Sequence, residues 1–221
     1  MIKAGIFDMD GTLVDSMFMW DSLVLGIFDD YGKVPTQEFV QNFLHYTVEE
    51  TIQVMRDDFG FEQSADELFS EYAQRVTKFY REDAKLKPGA REILRSMKDA
   101  GAKICLATIT DRPNVEIVLG KYDLLKYFDH LVTIDSVNCP KSDPKFFQTC
   151  FDLLETQADE CAFFEDSLRA GQQAKEMGSF LCGLFDSSWD KESEDELKAI
   201  SDVYAQDLSH VRFEDGQVFI V

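Results

Sequence analysis

Short apolar runs ending in an acid or a hydroxyl recur along this chain, and amphipathic stretches with helical spacing separate them. IKAGIFD (2–8), AKICLAT (102–108), HLVTID (130–135), CAFFED (161–166) and FLCGLF (180–185) have the length and continuous hydrophobicity of strands buried on both faces. Between them, GAREILRSMKDAG sets Ile93, Leu94 and Met97 at helical intervals before Gly101. DPKFFQTCFDLLE opens on Pro144 and aligns Phe147, Cys150, Phe151 and Leu154, and SLRAGQQAKEMG stops at Gly178. Strand and helix in alternation predict an α/β fold, a doubly wound parallel sheet covered by helices on both faces.

Residues 17 to 82 break the rhythm. Four successive segments there read as helices with no strand between them. The first places Trp20, Leu23, Val24, Ile27, Phe28 and Tyr31 on one stripe. Thr47 with Glu50, and Ser64 with Glu67, have the spacing of capping boxes. The chain returns through KLKPGA (85–90), where Pro88 and Gly89 punctuate it. The expected organisation is a core of residues 1–16 and 85–221 with a four-helix unit, 17–84, inserted after the first strand.

Two hundred and twenty-one residues with 45% hydrophobic content and 19 Phe can bury a sizeable core, which excludes a mainly disordered chain. A formal charge of −20 makes nucleic acid and acidic membrane surfaces poor partners, although a small anion needs only a local positive pocket. Five scattered cysteines, with no Cys-x-x-Cys pair, read as reduced thiols. Without a signal-peptide core or an apolar span, a cytoplasmic protein is expected.

In an open parallel sheet the strand ends gather in one crevice, where ligands bind. Here they supply Asp8 and Asp10, Thr108, Glu165 and Asp166, with Lys141 from the loop before the Pro144 helix. Turn chemistry alone accounts for Asp10 before Gly11, but not for Asp8. Four carboxylates in one crevice require a cation, and an all-oxygen set without His or Cys suits Mg2+. Thr108, the backbone amides after it and Lys141 can then hold the phosphoryl group that the acids alone would repel.

DMDGTLVDS, the strand ending LAT at Thr108, Lys141 ahead of a Pro-opened helix, and FFEDS at 163–167 resemble, in order and spacing, the four motifs of the haloacid dehalogenase superfamily. The helical insertion resembles that superfamily's cap, and the core its Rossmann-like domain. The resemblance implies Asp8 as nucleophile, forming an aspartyl phosphate. It implies Asp10 as general acid and base with its backbone carbonyl on the metal, and Asp166 and Glu165 as metal ligands. Lys141 would steady Asp8 and the phosphoryl oxygens, and Thr108 would hydrogen-bond the transferring group. The family usually writes Lys-Pro where this chain has Lys141-Ser142. Trp20, His45, Tyr46, Ile109 and Thr110 are candidate substrate contacts.

The presence of Asp10 favours phosphate-ester chemistry, because a departing alkoxide needs a proton. Within the superfamily the branch containing β-phosphoglucomutase and phosphoglycolate or sugar-phosphate phosphatases is most similar. Its mutases carry a cap histidine where this chain has Trp20, and a cap arginine near Glu49-Glu50. The expectation is a magnesium-dependent phosphatase of a small phosphorylated metabolite, acting as a monomer. A phosphomutase is the alternative, and a non-catalytic, phosphorylatable receiver-like module is a third reading.

Overall fold

The computed structural model describes residues 1–43, 46–137, 139–141 and 143–221. It forms two compact units, Met1–Met17 with Ala84–Val221, and Phe18–Asp83. The first unit holds β1 (Ala4–Phe7), β2 (Val14–Asp15), β3 (Lys85–Leu86), β4 (Lys103–Ala107), β5 (His130–Val132), β6 (Cys161–Glu165), β7 (Phe180–Leu184), β8 (Val203–Ala205), β9 (Val211–Glu214) and β10 (Gln217–Ile220). Helices α1 (Met17–Asp30), α2 (Gln37–Asn42), α3 (Val48–Phe59) and α4 (Ala65–Glu82) precede β3, and α1 carries the chain into the second unit.

Five of the apolar runs become strands of a six-stranded sheet ordered β5-β4-β1-β6-β7-β8, parallel at every pairing. The crossovers are helices: α5 (Ala90–Asp99), α6 (Arg112–Lys121), α7 (Pro144–Leu154), α8 (Leu168–Glu176) and α9 (Lys191–Ile200). The two-residue period of β1 divides the core. Ala4 and Ile6 join the cluster containing Phe146, Phe147 and Phe151 of α7, Ala170 and Ala174 of α8, and Leu197 of α9. Gly5 faces the other way, where a Cβ would come within 2.8 Å of Met97 on α5. Phe7 stacks on Phe164 of β6 with ring centroids 4.1 Å apart. Helices on both faces make the sheet doubly wound, and the chain runs outward from central β1 in both directions. Its carboxyl edge around β1 is therefore the switch point where a crevice opens.

The strands are shorter than the apolar runs. β1 stops at Phe7 and β5 at Val132, short of the acids that close the two runs. Several pieces were not foreseen, among them the β2–β3 pair and α9. The short edge strand β8 and helix α6, which has Pro113 in its first turn and Gly120 near its end, carry weak local patterns. The antiparallel β9–β10 hairpin has a legible signal, an Asp215-Gly216 turn with both residues at positive φ between alternating buried positions.

The helical unit has its own core of Val24, Ile27, Phe28, Phe39, Phe43, Ile52, Met55, Phe61 and Leu68. Both capping boxes form, Thr47 with Glu50 and Ser64 with Glu67. Tyr31, expected on the apolar stripe, is instead exposed, with its hydroxyl donating to Glu71 at 2.9 Å. Its polar tip finds an acceptor at the rim. Among the described residues, no helix is long and apolar enough to cross a membrane.

Candidate active site

The site is assembled where β1 ends. The Asp8 amide still donates to the Phe164 carbonyl at 3.0 Å, so Asp8 continues the register of β1 beside β6. The chain then folds on itself: the Leu13 and Val14 amides donate to the Met9 carbonyl and the Gly11 amide to the Val14 carbonyl. Gly11 has φ of +83°, a conformation that disfavours a side chain. Asp10 thus belongs to this turn rather than to the end of the strand, which corrects its expected place among the strand-end acids.

Asp8, Glu165 and Asp166 are buried and each offers a carboxylate oxygen, all within 4.8 Å of one another. Lys141 Nζ donates to Asp8 Oδ1, and to Glu165 Oε2 at 2.8 Å. The second Glu165 oxygen accepts the Ser167 amide at 3.0 Å. Asp166 accepts the Thr12 hydroxyl at 3.0 Å on Oδ1 and the Trp189 indole N–H at 2.8 Å on Oδ2. Gly11 packs against that carboxylate so closely that a Cβ would fall 2.2 Å from Oδ2.

Burial sets the electrostatics. It pushes the Asp8 carboxyl up against the pull of Lys141. It raises Glu165 to about 7, with the Asp8 charge adding to the effect and Lys141 opposing it. Asp166 rises well above the carboxylate range through burial and repulsion from Glu165 and Asp8. For Lys141 burial disfavours the charge, but Asp8 and Glu165 outweigh it and hold the amine protonated. When all three carboxylates are ionised, one ammonium leaves two negative charges uncompensated, so keeping them ionised in a buried site demands a divalent cation. Oxygen-only donors fit Mg2+ rather than a softer metal.

Asp10 has different company. The Ser16 hydroxyl donates to its Oδ1 and the Thr110 hydroxyl to its Oδ2, each at 2.6 Å. Thr108, buried past the end of β4, accepts the Thr110 amide on its own hydroxyl oxygen at 3.1 Å. The two threonines therefore divide the work: Thr108 shapes the loop and Thr110 reaches Asp10. Ile109 between them is 59% exposed.

In the helical unit Trp20 is half-buried and stacks on Tyr72, with centroids 6.5 Å apart, while Tyr46 is exposed. His45 and Ser142 lie outside the described residues. Sequence reasoning assigned no contact at the site to Thr12, Ser16, Lys87, Asp186 or Trp189. A hydroxyl one residue past Gly11 was the available signal for Thr12. Nothing local marks Trp189, which is 23 residues from its partner Asp166.

Residues 5–183 match the family model of the haloacid dehalogenase-like hydrolases. The chain is 28% identical over 177 residues to a phosphorylated carbohydrates phosphatase of Thermotoga maritima, covering 80% of this chain and 82% of that one. It is 27% identical to hexitol phosphatase B of Escherichia coli K12, covering 94% and 96%. A crystal structure of a proposed β-phosphoglucomutase from Thermotoga maritima superposes with a TM-score of 0.79 at 26% identity, covering 95% and 96%. With the matched region running from β1 to β7, across every residue of the acidic cluster, this chain belongs to the haloacid dehalogenase-like hydrolases.

Proposed function

We propose that the protein is a magnesium-dependent phosphatase that hydrolyses a small phosphomonoester, a sugar phosphate or similar metabolite, through an aspartyl phosphate on Asp8. The observation that carries this is the separation of two carboxylates into unlike settings. Asp8 sits in an ionic cluster against Lys141, and Asp10 is held by two hydroxyls. Unlike surroundings give neighbouring acids different tasks. The names of the Thermotoga and Escherichia coli relatives support a phosphorylated carbohydrate as substrate.

In this reading the Asp8 carboxylate attacks phosphorus, while Lys141 keeps it oriented and offsets charge on the phosphoryl oxygens. Asp10 donates a proton to the departing alkoxide oxygen and later takes one from the water that attacks the acyl phosphate. The Ile109 amide, next after Thr108, supplies a neutral donor to the phosphoryl group. Magnesium, held by Asp8, Asp166 and the Asp10 carbonyl with Glu165 beside them, would draw off phosphoryl charge and keep the acids ionised.

A phosphomutase must protect its aspartyl phosphate from water, which requires cap groups that control Asp10. Trp20, at the gating position, packs on Tyr72 within the helical unit, an indole with no imidazole's proton chemistry. Hydrolysis is therefore favoured, and membership among hydrolases sets aside the non-catalytic receiver-like reading. The test incubates the protein with magnesium and β-glucose 1-phosphate, with and without the 1,6-bisphosphate, beside a panel of sugar phosphates. Release of inorganic phosphate in step with substrate loss, without a bisphosphate primer, is expected. Efficient isomerisation with little phosphate released overturns the assignment.

A further inference from the structure

Resting on the metal-assisted reading above, the geometry points to Trp189 as a positioning residue that orients Asp166 toward the cation. Its indole N–H donates to Asp166 Oδ2 at 2.8 Å while the Thr12 hydroxyl donates to Oδ1 at 3.0 Å. Each carboxylate oxygen keeps a second lone pair for a metal. Gly11 closes a third side, since even a methyl group there would overlap Oδ2. A carboxylate confined in this way has one orientation, and magnesium, which demands near-octahedral geometry, is sensitive to it.

The indole is delivered by a built turn between β7 and α9. Asp186 accepts the Ser188 amide at 3.0 Å on its side chain and the Trp189 amide at 3.4 Å on its carbonyl. Asp190 then caps α9 by accepting the Ser193 amide. Lys87, mostly buried, donates to Asp186 Oδ2 at 2.7 Å, to the Phe185 carbonyl at 3.0 Å and to the Gly11 carbonyl at 2.6 Å. One ammonium thus ties the turn that carries Trp189 to the turn that walls in Asp166. An indole that only packed would need no acceptor on this carboxylate.

The test uses magnesium chloride alone on chelator-stripped protein. The chain has two tryptophans, so Trp20→Phe leaves Trp189 as the single indole reporter. Its emission is expected to change saturably with magnesium, at the midpoint that calorimetry gives for binding. Trp189→Phe is expected to weaken magnesium binding about tenfold or more. The magnesium needed for half-maximal turnover should rise in proportion, with kcat recovering at saturation. Should Trp189→Phe fold poorly, the emission titration of the Trp20→Phe protein decides alone, and an unchanged signal at calorimetric saturation overturns the inference. Equal magnesium affinity in Trp189→Phe and the parent overturns it while leaving the metal-assisted reading standing. Absence of magnesium binding to the parent removes both.

Discussion

The Thr110 hydroxyl donates to Asp10 Oδ2 at 2.6 Å, across a sequence separation of 100 residues, and Ser16 meets the other oxygen of the same carboxylate. Two hydroxyl donors from different segments fix the plane of the proposed acid and base. Removing one donor takes a hydrogen bond from a buried carboxylate and loosens its orientation. Thr110→Val and Ser16→Ala are each expected to lower kcat about tenfold with a smaller change in KM, measured with a sugar phosphate. Unchanged kcat in both would show that the clamp is structural.

Asp8→Asn and Asp10→Asn should both stop turnover of a sugar phosphate, by at least about 100-fold, yet fail at different points. Without Asp8 no acyl phosphate forms. Without Asp10, an ester with a good leaving group should still phosphorylate Asp8 and then stall. Rapid-quench labelling separates the two, and label retained on Asp8→Asn would remove Asp8 from the nucleophile's role.

Gly11→Ala combines a positive φ with a methyl group set 2.2 Å from Asp166 Oδ2. Thermal denaturation should show a loss of about 1–3 kcal/mol. Because Asp166 must move to make room, activity should fall further than stability alone explains. An alanine variant with parental magnesium affinity would contradict the close packing.

The raised carboxyls make stability depend on pH in a defined direction. Glu165 titrates near 4.5 when unfolded and is pushed up to about 7 when folded, so between those values the folded chain binds more protons. The contribution of Glu165 to the stability of the cation-free protein is therefore greatest below about 4.5 and is lost as the pH rises through about 7, by an amount of order 1–3 kcal/mol. Added magnesium should flatten the slope. Melting temperatures across this range, with chelator and with magnesium, check both statements. A cation-free protein that gains stability from pH 5 to 8 would contradict the burial of these acids.

Much of this was legible because continuous apolar runs and the residues that end them are local. The apolar runs located β1, β4, β6 and β7, and the capping boxes marked the starts of α3 and α4. The acids gathered at the carboxyl edge could be read together once a parallel sheet was inferred, and Asp8, Glu165 and Asp166 do converge. What escaped was set by tertiary contact. Lys87 finds Asp186 across 99 positions and Trp189 finds Asp166 across 23, and neither pair has a periodicity or motif to announce it. Asp10 was misplaced onto the strand because a tight turn and a strand end share the same residues until the backbone hydrogen bonds are known.

The short β2–β3 pairing, Val14 beside Leu86 and Asp15 beside Lys85, has a consequence for how such a chain can diversify. To the parallel sheet, everything between those partners is a single loop whose two ends are already fastened at ladder spacing. Its length and content are free to change without shifting the register of any strand in the order β5-β4-β1-β6-β7-β8. The arrangement works as a socket. The plug can be exchanged while the acids at the sheet's edge stay threaded as before.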